Sequence, residues 1–143
     1  MPTRAELIAQ ARTWLGVPAI VGGSQRCGVN CLGIIVGILR ELGSFEAMVE
    51  EMDKHVGFKK PTTPGDLLRK LLVSKHWKNI KPVKLQPGNL VLFFTLEGPQ
   101  HLALITEPGV ILHAAQNKKK VVEHLIPDGW RIAAEFELVG IED

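Results

Sequence analysis

The stretch Gly22-Gly23-Ser24-Gln25-Arg26-Cys27-Gly28-Val29-Asn30-Cys31-Leu32-Gly33 decides how the rest of the chain is read. It is a glycine-rich polar loop running straight into the apolar segment Ile34 to Leu39. Asn30 is a good N-cap, so Cys31 falls at or near the first position of a helix. Unpaired backbone N–H groups and the positive end of the helix dipole then surround its sulfur, and both favour thiolate over thiol. A cysteine so placed is either a nucleophile or a small apolar filler. Alone it reads as filler; the histidines further along reverse that ranking.

The helix starting at Cys31 is apolar nearly all round in its first two turns and ends at Leu42-Gly43, which marks it as a buried central helix. Upstream, Thr3 and Glu6 form a capping-box pattern opening a helix over about Arg4 to Leu15. Leu7, Ile8, Ala11, Trp14 and Leu15 share one face of it, and Gly16 and Pro18 stop it. Downstream, Phe45, Met48, Val49 and Met52 fit a helical stripe. Together with Phe58 they are either core or an apolar surface on which a partner docks. Pro61-Thr62-Thr63-Pro64-Gly65-Asp66 is a turn capping another helix, with Leu67, Leu68, Leu71 and Leu72 on its inner side.

From Gln86 the period changes from helical to strand-like. Strands are expected over Leu90–Thr95, His101–Thr106, Val110–Ala114, Lys119–Ile126 and Arg131–Leu138, each pairing mainly with its sequence neighbour. In the last, Ile132, Ala134, Phe136 and Leu138 alternate with Arg131, Ala133, Glu135 and Glu137, a half-buried antiparallel pattern. Helices first and a meander of strands afterwards predict an α+β fold, with the Cys31 helix packed on a five-stranded or larger antiparallel sheet. The length of 143 residues suits one domain spanning 1–143.

Charge and composition exclude several classes. Seventeen basic against fifteen acidic residues give +2, and the only basic run, Lys118-Lys119-Lys120, reads as a hairpin tip. Nucleic acid is therefore not an expected partner. No apolar run approaches the roughly 20 residues a membrane span needs. Arg4 and Glu6 interrupt the N-terminus, which lacks the long apolar core of a signal peptide. Two cysteines four positions apart make no disulfide framework, and synthesis in a reducing cytosol is expected.

A cysteine nucleophile needs a base, and the base needs a third group to hold its ring. Of five histidines, His55 and His76 lie among lysines and read as solvated, and His124 beside Glu123 reads as surface. His101 and His113 differ, because each sits at one end of an apolar strand. Antiparallel strands joined by a short turn bring those ends together, with cross-strand spacing of roughly 4.5–5.5 Å. Zinc held by Cys27, Cys31, His101 and His113 is the metal alternative, although zinc cysteine pairs usually carry two intervening residues and here there are three. Resolution of an oxidised Cys31 by Cys27 is a redox alternative.

Read together, Trp14-Leu15-Gly16-Val17-Pro18, Gly22-Gly23 and Gly28-Val29-Asn30-Cys31-Leu32-Gly33 resemble the NlpC family of papain-like cell-wall peptidases. Pro87-Gly88-Asn89-Leu90-Val91-Leu92-Phe93 is similar to the family's strand entry. Gln100-His101-Leu102-Ala103-Leu104-Ile105 and Ile111-Leu112-His113-Ala114 are similar to its two histidine strands. The Cys-Leu-Gly helix and the closing Trp130-Arg131-Ile132-Ala133-Ala134-Glu135-Phe136 most resemble the short versions encoded with phage-tail and gene-transfer-agent genes. The resemblance implies a papain-like fold, with Cys31 as nucleophile, His101 as base and His113 as the residue orienting it. It implies hydrolysis of amide bonds in peptidoglycan stem peptides, without a cofactor or metal. Partners would be the peptidoglycan peptide and phage tail-tip proteins, and the place of action a virion tail at the bacterial wall. The competing expectation is a structural tail-tip component with the same fold. Asn30 and Asn89 stand where the family usually has aspartate, and Ala19 where it often has a tyrosine, so either another oxyanion donor, such as Ser24 or Gln25, serves or turnover is weak.

Overall fold

The structure, a computed structural model, describes residues 1–20, 24–25, 28–56, 66–95 and 98–143. Its helices are α1 (Arg4–Arg12), α2 (Cys31–Leu42), α3 (Glu46–Val56) and α4 (Asp66–Val73). Its strands are β1 (Ser24–Gln25), β2 (Gly28–Val29), β3 (Trp77–Asn79), β4 (Leu90–Thr95), β5 (Gly98–Glu107), β6 (Val110–Ala115), β7 (Lys120–Leu125) and β8 (Ile132–Leu138). β1 and β2 form a small ribbon, and the other six strands one sheet in the order β3-β8-β4-β5-β6-β7, every pair antiparallel.

The helix starts follow their caps. Thr3 accepts the Glu6 N–H at 3.1 Å while the Glu6 carboxylate reaches back to the Thr3 N–H, the reciprocal capping box. Asn30 Oδ1 accepts the Gly33 N–H at 2.6 Å, and Gly43 ends α2 in the left-handed region. α1 stops at Arg12, three residues before its expected end. The Thr13 hydroxyl bonds the Gln10 carbonyl, and the Gly16 N–H is taken by Val121 of β7. Trp14 stays in the core, but Leu15 turns out to solvent.

The core forms where α2 lies on the sheet. Ile34, Ile35, Val36, Ile38 and Leu39 pack with Leu90, Leu92, Leu102, Leu104, Leu112 and Phe136. A second, smaller cluster of Val91, Phe93, Ala103, Ile105 and Ile111 has the opposite strand parity, so both faces of the central strands are buried. Phe45, Met48, Val49 and Met52 belong to the main core, all below 9% exposed. Of the two readings of this stripe, these four residues follow the core one and offer no docking surface; Phe58 lies outside the described residues. On α4, Leu71 is buried and Leu67 and Leu68 pack partly, whereas Leu72 is exposed; the turn at 61–65 lies outside the described residues.

β4 to β7 pair with their sequence neighbours as expected, but β8 does not pair with β7. It inserts between β4 and β3, a short strand that the polar Lys75–Asn79 sequence does not announce. There Phe136 and Leu138 enter the main core. The neighbouring Glu135, expected to face water, is also fully buried. Its carboxylate accepts the backbone N–H groups of Lys84, Leu85 and Gln86 at 2.7, 2.8 and 2.9 Å and the Asn89 amide at 2.7 Å. Asn89 Oδ1 in turn accepts Arg4 Nη1 at 2.7 Å, and Arg4 also pairs with Glu137 and Asp143. Gly88 belongs to this knot, since a Cβ there would lie 2.9 Å from Arg4 Cγ. Asn89 is therefore structural. One of its ends must donate to a carboxylate and the other accept from a guanidinium, which an aspartate cannot do.

Candidate functional site

Asn30 caps α2 so that Cys31 is its first residue, half-buried against β5. The thiol lies 3.8 Å from the carbonyl oxygen of Gln100, and the Leu102 N–H also acts on the sulfur, so Cys31 meets the backbone on both sides of His101. That stretch of β5 is open to it because the β5–β6 register begins only at Leu104↔Leu112. The helix start acts as the sequence predicts: the N–H groups of Leu32 and Cys31 lower the thiol pKa, alongside that of Leu102. Burial is larger and wins, pushing the thiol above its ordinary value. Cys31 therefore rests protonated, which corrects the expected thiolate.

His101 and His113 meet. His101 Nε2 lies 2.7 Å from His113 Nδ1, with the rings nearly perpendicular. β5 extends back to Gly98, so His101 lies within the strand and not at its first residue. The row continues: His113 Nε2 is 2.9 Å from His124 Nε2, and His124 Nδ1 is 2.7 Å from the carbonyl oxygen of Leu125. His124 is thus not the free surface side chain its neighbour Glu123 suggested. The Glu123 carboxylate instead takes Arg12 and the Thr106 hydroxyl. A signal for His124 did exist. The Gln116–Lys119 hairpin sets His113 opposite Val122, which puts His124 on the same face, diagonal to His113.

Burial disfavours the charged forms of His101 and His113. It lowers the His101 pKa, and it pushes His113 down to about 3, helped by the two flanking imidazoles that would repel a charge there. Trp130, in the turn before β8, stands edge-on to the whole row at 5.7 to 6.3 Å between ring centres and packs on Phe93 at 5.1 Å. With Phe93, Phe94, Thr95 and Gly129 it lines a cleft of about 260 Å³ beside His101. His76, read as solvated, pairs with Glu51 at 3.1 Å.

Nitrogen-to-nitrogen contacts this short leave no space for an ion between the rings. Among the described residues no group of three or more histidine, cysteine or acidic side chains is disposed to hold a metal. Cys27, and with it the redox alternative, lies outside the described residues, as do the side chains of Ser24 and Gln25.

No family model matches the chain, and no curated protein does. Solved structures do. NlpC2 from Trichomonas vaginalis superposes with a TM-score of 0.68 at 17% identity, covering 95% of this chain and 46% of that one. An NlpC/P60 family protein from Bacillus cereus gives 0.63 at 21%, over 94% of this chain and 39% of its own. The NlpC/p60 domain of the peptidoglycan hydrolase SagA gives 0.58 at 18%, over 95% and 97%. The chain thus spans less than half the length of the first two and nearly all of the third. With Cys31 at the head of the central helix and the sheet packed against it, the chain has the papain-like α+β fold of the NlpC/P60 proteins.

Proposed function

We propose that this chain, as one catalytic domain over 1–143, is a cysteine peptidase hydrolysing amide bonds in peptidoglycan stem peptides. The observation that carries the reading is Cys31 at the α2 N-terminus, against the backbone flanking a histidine whose Nε2 is held by a second histidine. Structural neighbours whose names describe peptidoglycan hydrolases support the substrate class.

With His101 Nε2 engaged by His113, the nitrogen left for the substrate side is Nδ1. As Cys31 Sγ attacks the carbonyl carbon, Nδ1 takes the thiol proton, and the N–H of Cys31 faces the developing oxyanion. The C–N bond breaks as His101 returns that proton to the leaving amine. Water then attacks the thioester with His101 again as base, giving a carboxylate and restoring the thiol. Because the thiol rests protonated, His101 works as a general base at the moment of attack and not as half of a preformed ion pair.

The resemblance of the Cys31-Leu32-Gly33 helix and the Trp130–Phe136 segment to short phage-tail versions supports delivery by a virion tail, with tail-tip proteins as partners. The test is release of soluble fragments from purified sacculi. The native chain is expected to release them and Cys31→Ala to release none. No release by the native chain would favour the structural tail component instead, and equal release by Cys31→Ala would rule out Cys31 as the nucleophile.

A further inference from the structure

We propose that His124 is a positioning residue that fixes the proton order along the histidine row and so leaves His101 Nδ1 bare for Cys31. The inference rests on the peptidase reading only for its consequence in turnover; the proton order itself stands on geometry. The row ends on the carbonyl oxygen of Leu125, 2.7 Å from His124 Nδ1. A carbonyl can only accept, so His124 Nδ1 carries a hydrogen. In a neutral ring Nε2 of His124 is then bare, and across 2.9 Å it can only accept from His113 Nε2. His113 Nδ1 is bare in consequence and accepts, across 2.7 Å, the Nε2–H of His101. That leaves His101 Nδ1 without a hydrogen.

One backbone carbonyl thus sets three tautomers. Without an acceptor at position 124, His113 is free to place its hydrogen on Nδ1. His101 Nε2 must then be the bare nitrogen and Nδ1 the protonated one, which cannot take a proton from a thiol. Three features keep the row in one arrangement. His113 is 2% exposed, Trp130 lies edge-on to all three rings, and Glu123 next to His124 is committed to Arg12 and Thr106.

The experiment reads the tautomers directly, by imidazole nitrogen chemical shifts in the full chain carrying Cys31→Ala, with His124→Phe and His124→Gln added. His124 is expected to be protonated at Nδ1, and His113 and His101 at Nε2. His124→Phe should let His113 and His101 populate both forms, whereas Gln, whose Oε1 can accept from His113, should restore one. On Cys31-containing protein, His124→Phe should lower kcat about tenfold with KM unchanged, the effect of one lost hydrogen bond on the barrier, and Gln should recover most of it. His124 protonated at Nε2, a single His113 tautomer in His124→Phe, or unchanged kcat in that variant would each overturn the proposal. If the native chain hydrolyses nothing, the peptidase reading falls while the shifts still decide the proton order. If His124→Phe fails to fold, the Cys31→Ala spectrum and the Gln variant decide it.

Discussion

Replacing Glu135 by Gln tests the buried knot that sets the entry to β4. Its two oxygens each accept two hydrogen bonds: one takes Lys84 and Leu85 N–H, the other Gln86 N–H and the Asn89 amide. A glutamine keeps one oxygen. The lower-cost orientation leaves that oxygen toward Asn89, which is fully buried, and sets its NH₂ against the N–H groups of Lys84 and Leu85. Leu85 has φ 54, a left-handed conformation costing a branched residue about 1–2 kcal/mol, and the bond to Glu135 helps to hold it there. Hydrogen bonds to a charged group are worth about 1.5–3 kcal/mol each. Two are lost at a half-buried loop where water can partly replace them, so the expected destabilisation is about 2–4 kcal/mol. The pH dependence follows from the direction of the shift. Burial would raise the Glu135 carboxyl, but the Asn89 amide and the Gln86, Lys84 and Leu85 donors outweigh it and hold its pKa below the ordinary value. A depressed carboxyl contributes stability that is complete above its unfolded value, about 4.3, and is lost as pH falls through the lower folded value. Urea unfolding followed by tryptophan fluorescence should therefore give a constant difference between native and Glu135→Gln protein from pH 7 to about 5, shrinking toward pH 3. A difference below about 0.5 kcal/mol at pH 7, or one that does not change in acid, would refute the reasoning.

Asn89→Asp sets a second carboxylate 2.7 Å from Glu135. It should destabilise the fold by about 1–3 kcal/mol at neutral pH, and mild acid should relieve part of that as the pair shares a proton; thermal melts at pH 7 and pH 5 check this. Cys31, its thiol pushed up by burial, should react slowly with iodoacetamide at pH 6 and still be speeding up beyond the ordinary thiol value of about 8.5. Peptide mapping separates it from Cys27, and full reactivity at pH 6 would contradict the protonated resting state. His113 is buried neutral with a folded value of about 3, so its contribution to stability is complete above the ordinary histidine value and is lost as pH falls toward 3. His113→Phe should show a shallower fall in stability between pH 6.5 and pH 4 than the native chain; an unchanged slope would argue against a neutral His113.

Local signals were legible in the sequence, and so were the elements that carry Cys31, His101 and His113 and the strand pair on which the two histidines meet. Asn30 and Gly43 bound α2 because capping is a one-residue effect. β4, β6 and β7 fall within a residue of their expected ends because alternation and turns carry their own periods. Pairing order was not legible, since a strand's period says nothing about which neighbour it meets. β8 thus lies between β3 and β4, and β3, a three-residue strand with only Trp77 buried, left no period to find. Glu135 and His124 misled for one reason. A polar side chain at an outward strand position reads as solvated, and here the 84–86 loop covers one and a neighbouring histidine binds the other. The direction of the Cys31 shift was missed because the sequence displays the helix start but not the depth at which it is buried.

The central claim is that Cys31 cleaves an amide with His101 as its base, and a defined stem-peptide fragment tests it most directly. Incubated with native chain and read by mass spectrometry, the fragment should give two products whose masses sum to substrate plus one water, one with a new amine and one with a new carboxylate. Cys31→Ala and His101→Ala should leave it intact. Persistence of the substrate with the native chain, or the same products with Cys31→Ala, would contradict the account.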